Sequence, residues 1–137
     1  MSPTIIETAE AFSRHQFGDT YPFILDEAEW TLVGGDHIRG KADIISACEE
    51  SARELVDVET TFTRFKVIAT DDCVVIDSRA EYIDEDGRSS HVASCDIYEF
   101  VDRDVAAITS YTVEVAPGQI DPGSGRNRPE RAFTGAT

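Results

Sequence analysis

A change of hydrophobic period near residue 60 constrains the fold more than any other feature. Before it, apolar residues recur at helical spacing, most clearly in residues 41–56, where an apolar stripe opposes acidic side chains. After it, alternating patterns typical of strands run through residues 60–70, 73–83, 91–100 and 105–115. Turn sequences separate these strands, among them Glu85-Asp86-Gly87-Arg88. Helices followed by strands predict an α+β fold, with helices packed on one face of a curved antiparallel sheet.

The N-terminal part of the chain contains the remaining predicted elements. Thr4-Ile5-Ile6-Glu7 fits a capping box and begins a helix that Gly18 is expected to end. A second short helix is predicted at residues 21–24, a strand at 28–33 and a turn at 34–37. The sequence therefore predicts three helices and five strands.

Composition predicts one folded domain, residues 1–116, and a separate C-terminal tail, residues 117–137. The tail is rich in Gly and Pro and has no hydrophobic period. We expect this tail to be flexible because it cannot bury enough apolar surface to fold.

The charge of the chain excludes several classes of partner. Twelve basic residues face 27 acidic ones, a net charge of −15, which argues against nucleic acid and against anionic membranes. The three cysteines form no CxxC pair, and the N-terminus lacks a basic segment followed by an apolar run. Free thiols in the cytoplasm are the expectation. The three histidines share no metal-binding spacing and GGDHIRG is not a dinucleotide fingerprint, so neither a metal nor a cofactor is expected.

Strand parity predicts which side chains face the interior, because successive side chains point to opposite faces of a sheet. The inward set forms an apolar cavity with a few polar groups, the usual composition of a small-molecule site. The predicted ligand-binding residues are Trp30, Leu32, Ile76, Ser78, Tyr82, Tyr98, Ile108 and Ser110. For Trp30, Tyr82 and Tyr98 a role as core side chains is an open alternative.

Asp96 stands in the middle of the strand SCDIYEF, with inward parity. A carboxyl among apolar side chains has a raised pKa, because its charged form loses hydration. A neutral acid can donate a hydrogen bond to a carbonyl or enolate oxygen, so Asp96 is the candidate catalytic residue. The alternative is an Asp bonded to neighbouring serines or backbone amides without any ligand.

The order of these elements resembles the nuclear transport factor 2-like superfamily, and within it the SnoaL-like and ketosteroid isomerase-like branch. The residues that carry the resemblance are Phe17-Gly18-Asp19, Ala28-Glu29-Trp30, Arg39-Gly40-Lys41-Ala42-Asp43-Ile44, Cys95-Asp96-Ile97-Tyr98-Glu99-Phe100 and Ile108-Thr109-Ser110-Tyr111. The resemblance implies a cone-shaped α+β barrel, in which a curved sheet wraps around the N-terminal helices and encloses an apolar cavity. It also implies a homodimer through the outer sheet face, where Cys95, Ile97, Tyr111 and Val113 are expected.

Asp96 matches the position where ketosteroid isomerases place a protonated aspartic acid. The rest of that apparatus is missing: the position of the tyrosine donor falls near Ala11 and that of the base aspartate near Leu32. The last-strand acid of polyketide cyclases is replaced by Thr109-Ser110. His15, at the end of the first helix, is an outside candidate for acid–base work.

The expected function is binding of a small hydrophobic carbonyl compound, with isomerase or cyclase activity if the protein is an enzyme. The alternative is a non-catalytic ligand-binding or protein-interaction module. The buried acid favours the enzyme, and the missing second catalytic group favours the module.

Overall fold

The computed structural model describes residues 3–116. The predicted flexible tail, residues 117–137, lies outside the described residues. The elements in chain order are α1 (Ile5–Ser13), two short 3-10 turns (Phe17–Asp19 and Tyr21–Phe23), β1 (Ile24–Leu32), β2 (His37–Arg39), α2 (Lys41–Leu55), β3 (Glu59–Ala69), β4 (Cys73–Ile83), β5 (Ser89–Val101) and β6 (Asp104–Val115).

All six strands belong to one curved sheet, in the order β2-β1-β6-β5-β4-β3. Strands β3 to β6 form the predicted antiparallel meander, and β1 and β2 are also antiparallel. The pair β1 and β6 runs parallel, with Trp30 opposite Ile108. The sheet does not close, because β2 and β3 are its two edges. The α+β architecture predicted from the sequence is confirmed.

Helix α1 begins as predicted and ends earlier than predicted. The capping box is present: the Thr4 amide donates to Glu7 Oε1 at 2.9 Å, and the Glu7 amide donates to Thr4 Oγ1 at 3.1 Å. The helix ends at Ser13 rather than near Gly18. The reason is His15, whose positive φ of 67° turns the chain out of the helix.

Three further local elements form as predicted but with other bounds or another helix type. The expected short helix at residues 21–24 is a 3-10 turn at Tyr21–Phe23, and β1 begins at Ile24 rather than at Ala28. The expected turn at residues 34–37 ends before His37, which begins the unpredicted strand β2. This strand is only three residues long and forms through pairing with β1, so its own sequence has too few positions to show a period.

The inner face of the sheet and the apolar sides of both helices form the core. Inward parity is confirmed in β4, where Val74, Ile76, Ser78 and Ala80 are buried and alternate with half-buried neighbours. Helix α1 packs mainly on β4 and β5, and α2 packs mainly on β1 and β2. The helices therefore cover different parts of the sheet, and a space is left between them.

The outer face of the sheet carries both polar and apolar side chains. Asp77 lies between two arginines: Arg64 Nε donates to its Oδ2 at 2.9 Å, and Arg79 Nη1 donates to its Oδ1 at 2.8 Å. His91 shares the outward parity of this face but is only 8% exposed, with Glu81 Oε2 at 3.5 Å from its Nε2. His91 is therefore buried within the single chain despite its outward parity.

Two broader expectations concern the whole chain. Within residues 3–116, no helix has the length and apolar character needed to cross a membrane. All three cysteines are free thiols, with Cys48 buried and Cys73 and Cys95 half-buried.

Candidate functional site

A cavity of about 250 Å³ lies between the helices and the inner face of the sheet. Six of the predicted site residues line it: Trp30, Leu32, Ser78, Tyr82, Asp96 and Ser110. The other lining residues are Phe12, Ser13, His15, Phe17, Ser51, Glu54, Leu55, Phe62, Ala80, Val92, Ser94 and Thr112. Glu54 is exposed, so the cavity reaches the surface beside the C-terminal turn of α2.

Three predicted site residues do not line this cavity. Ile76 and Tyr98 are 0% exposed and Ile108 is 1% exposed, and all three belong to the hydrophobic core. Their parity is as predicted, but parity alone does not distinguish a core position from a cavity position further along the same strand.

The Asp96 carboxyl receives a hydrogen bond from α1. Ser13 Oγ donates to Asp96 Oδ2 at 2.8 Å and lies 2.6 Å from the Tyr98 hydroxyl oxygen. The Tyr98 hydroxyl also hydrogen-bonds the Asp96 carboxyl, so Ser13 and Tyr98 contact both Asp96 and each other. Two hydroxyls, one from α1 and one from β5, therefore surround this carboxyl.

A donor chain approaches the same carboxyl from β6. Trp30 Nε1 donates to Ser110 Oγ at 3.0 Å, because an indole nitrogen can only donate. Ser110 is the direct cross-strand neighbour of Asp96 and hydrogen-bonds its carboxyl. Trp30 occupies the acceptor side of Ser110, so the hydroxyl proton of Ser110 is left to point at Asp96. Two buried hydroxyls thus orient one carboxyl.

The pKa of Asp96 is raised by this environment. Burial is the largest influence and raises it, while the hydrogen bonds from Ser110 and Ser13, the charge of His15 and the hydrogen bond from Tyr98 oppose the shift. No lysine or arginine lines the cavity within the described residues. A carboxyl without a cationic partner holds its proton to higher pH, which suits an acid that donates to a ligand.

His15 lies on the cavity wall and contacts three aromatic rings. Its imidazole centroid is 5.7 Å from Phe17, 6.0 Å from Phe62 and 6.1 Å from Tyr82. Burial lowers the pKa of His15, and the charge of Asp96 opposes that shift. The structure therefore places a second titratable group on the same cavity as Asp96, at a position that the sequence analysis treated only as an outside candidate.

Ser13 is the site residue that sequence reasoning missed. The family position of a helix donor was assigned near Ala11, whereas the hydroxyl that reaches Asp96 comes from Ser13. Helical spacing could have indicated that Ser13 points inward, because it follows Ala9 by four residues and so lies on the buried side of α1. Among the described residues, no cluster of three or more His, Cys, Asp or Glu side chains could hold a metal ion.

The sequence profile of the SnoaL-like domain matches residues 5–108. The chain belongs to this family. A nuclear transport factor 2-like protein of unknown function from Cytophaga hutchinsonii is 32% identical to it, with a TM-score of 0.70 over 78% of this chain and 94% of that one. No curated protein matches the SnoaL-like chain significantly.

More distant SnoaL-like and related structures share the fold. A protein assigned as a SnoaL-like polyketide cyclase, from Jannaschia, is 14% identical, with a TM-score of 0.64 over 82% of this chain and 89% of its own. An epoxide hydrolase from M. tuberculosis is 18% identical, with a TM-score of 0.61 over 80% of this chain and 82% of its own. These neighbours share one fold but are named for different activities, so the activity of this chain has to be argued from its own site.

Proposed function

We propose that this protein binds a small, uncharged carbonyl compound in the cavity and catalyses proton transfer next to the carbonyl group, as in an isomerisation or a cyclisation. The observation that carries the proposal is the half-buried Asp96 carboxyl on the cavity wall, with a raised pKa and two hydroxyl donors that orient it. An acid of this kind supports a hydrogen bond to the carbonyl oxygen, which grows stronger as negative charge develops there.

The size of the cavity supports a small ligand. Pockets for drug-sized ligands enclose about 300–1,000 Å³, and this cavity encloses about 250 Å³. A compound of one or two rings fits this volume better than a four-ring steroid.

The charges around the cavity support an uncharged ligand. The acidic side chains of Asp96 and Glu54 line it, and among its described lining residues there is no lysine or arginine to bind an anion. A carboxylate or phosphate ligand would lose its hydration here without gaining a cationic partner.

The hydrogen bonds around Asp96 suggest a role for each polar group of the cavity. Ser13 and Ser110 hydrogen-bond the Asp96 carboxyl and hold its orientation, and in this proposal the proton of Asp96 itself is directed at a ligand oxygen. Burial raises the pKa of Tyr98 well above its ordinary range, which keeps its hydroxyl a donor throughout the neutral range. The indole of Trp30 holds Ser110 in place and forms part of the apolar wall. Leu32, Phe12 and Phe62 complete a wall that favours an apolar ring.

The proposal is tested with indanone and tetralone, two small bicyclic ketones with exchangeable hydrogens next to the carbonyl. We expect both to raise the melting temperature by mass action and to exchange those hydrogens with deuterium oxide, followed by NMR. Asp96→Asn is expected to lower the exchange rate by about 100-fold or more, the usual contribution of a positioned acid or base.

The matched control is Asp77→Asn, which removes an aspartate from the opposite face of the same sheet. It is expected to leave the exchange rate unchanged at a temperature where the variant is folded. Equal exchange by wild type and Asp96→Asn would remove Asp96 from the reaction. A wild-type protein that neither binds nor exchanges either ketone would overturn the proposed function.

A further inference from the structure

The end of α1 places a histidine where the backbone favours glycine. The His15 amide donates to the Phe12 carbonyl at 3.0 Å, and the Gln16 amide donates to the Ala11 carbonyl at 2.8 Å. These two bonds define a Schellman motif, whose residue after the cap adopts the left-handed conformation and is usually Gly or Asn. Here that residue is His15, with a φ of 67°. The left-handed conformation is unfavourable for a residue with a Cβ.

Ending the helix does not require an imidazole at this position. The imidazole is instead explained by the cavity, which His15 lines. The His15 side chain is held between rings from three separate elements: Phe17 of the first 3-10 turn, Phe62 of β3 and Tyr82 of β4. Strained backbone that the surrounding structure holds in place is typical of functional sites. The strain at His15 has the effect of aiming a titratable ring into the same cavity as Asp96.

The charged and titratable groups around His15 favour a neutral imidazole. Asp96 on β5 raises its pKa, but burial is the larger influence and lowers it. Tyr82 on β4 has a raised pKa from burial and stays neutral. Arg14 lies over the Phe65 ring, with its guanidinium carbon 3.7 Å from the ring centroid and 5.5 Å from that of Phe62. Glu54 lines the cavity at its exposed end.

We infer that His15 is the catalytic base that acts together with Asp96, an inference that rests on the proposed function. The imidazole takes a proton from the carbon next to the ligand carbonyl. The electron pair of that C–H bond forms a carbon–carbon double bond, and the carbonyl π pair moves to the oxygen, which takes the proton of Asp96. The product is a bound enol beside an imidazolium and a carboxylate. Return of both protons, at the same carbon or at a conjugated one, restores the enzyme without any oxidant or reductant.

With His15 as the base, the site contains the second catalytic group that the sequence analysis found missing. Asp96 alone would have to release and accept protons at two separated atoms of the ligand, whereas His15 and Asp96 divide the two tasks. A neutral base beside a protonated acid is the pairing that proton transfer at a ketone needs.

The test uses His15→Asn with indanone in deuterium oxide. Asn tolerates the left-handed backbone, but its amide is not a base. We expect the exchange rate to fall by about 100-fold, while the increase in melting temperature caused by indanone is retained. The wild-type rate is expected to fall at low pH as His15 gains a proton, and this acid limb should disappear in the variant.

The control is His37→Asn, because His37 lies on β2 outside the cavity and pairs with Glu29 at 2.8 Å. It should keep both the rate and the acid limb. A second variant, His15→Gly, covers the case in which Asn disturbs folding, since Gly is the residue that this backbone position favours. It should be folded and should lack the exchange activity.

The outcomes separate the two proposals. If Asp96→Asn loses exchange but both His15 variants keep the rate and the acid limb, His15 is not the base and the proposed function stands. If wild type shows no exchange with indanone or tetralone, the proposed function and this inference both fail.

Discussion

Two aspartates on neighbouring strands show how one sheet produces opposite electrostatics on its two faces. Asp77 on β4 is opposite Cys95, and Asp96 on β5 is opposite Ile76, so the two carboxyls are one position apart in register and point to different faces. Both are partly removed from water. Burial raises the pKa of Asp96, whereas at Asp77 the hydrogen bonds and charges of Arg64 and Arg79 together outweigh burial and lower the pKa.

The difference lies in the partners. Asp96 has neutral hydroxyl donors and a weakly basic imidazole, while Asp77 has two guanidinium groups at 2.9 and 2.8 Å. A guanidinium stays charged at every relevant pH and holds a carboxylate ionised, whereas a hydroxyl orients a carboxyl and leaves its protonation adjustable. The outer aspartate therefore suits a structural ion pair, and the inner one suits chemistry.

The largest expected effect concerns what covers the outer face. Tyr111 and Val113 are 48% and 59% exposed there, beside half-buried Cys95 and Ile97. We expect this face to pair with a second copy of the chain, because an apolar strip flanked by charges is self-complementary about a two-fold axis. Val113→Glu should weaken the dimer by about 2 kcal/mol or more, roughly 30-fold, in sedimentation experiments.

Glu50→Gln, an exposed change on α2 rather than on the sheet, is the control for that experiment and should leave the dimer intact. A wild-type protein that sediments only as a monomer at micromolar concentration would contradict the dimer.

The next effect is on stability and contrasts the two aspartates directly. Asp77→Asn should lower the free energy of unfolding by roughly 1–2 kcal/mol near neutral pH, because charge-assisted hydrogen bonds are lost and two arginines are left without their shared anion. Its folded pKa is lowered, so the stabilising contribution of Asp77 is present above the unfolded value of 3.8 and is lost as pH falls through the folded pKa. Denaturant unfolding of wild type and variant across pH measures this.

Asp96 should show the opposite slope. Its folded pKa is raised, so its contribution to stability is fully present below 3.8 and is lost as pH rises through the folded pKa. Asp96→Asn should therefore compare more favourably with wild type near pH 7 than near pH 4. Parallel pH slopes for the two variants would show that the two carboxyls are not in the contrasting environments described.

The smallest expected effect tests the donor chain that runs from Trp30 through Ser110 to Asp96. Trp30→Phe keeps the aromatic wall but removes the indole donor to Ser110, a bond of 3.0 Å. We expect a loss of about 1 kcal/mol in stability and less than a tenfold change in ketone exchange, because Ser13 still orients Asp96. A loss of exchange as large as that of Asp96→Asn would mean that Ser110, rather than Ser13, positions the acid.

Much of the architecture follows from local pattern. The period change near residue 60, the capping box at Thr4 and the alternation along β4 were sufficient to predict α1, α2, the meander from β3 to β6, the inner face and the inward position of Asp96. Each of these is encoded within a few neighbouring residues, because a helix or a strand imposes its own period on the chain.

What only the tertiary structure decided depends on residues far apart in the chain. Ser13 and Asp96 are separated by 83 positions, and Trp30 and Ser110 by 80, so no local pattern shows that they meet. Strand parity predicts that a side chain points inward, but not whether it lines the cavity or packs in the core. That difference depends on which part of the sheet the helices cover. His15 shows the same limit: the sequence places it at a helix end, but only the folded chain places its ring on the same cavity as Asp96.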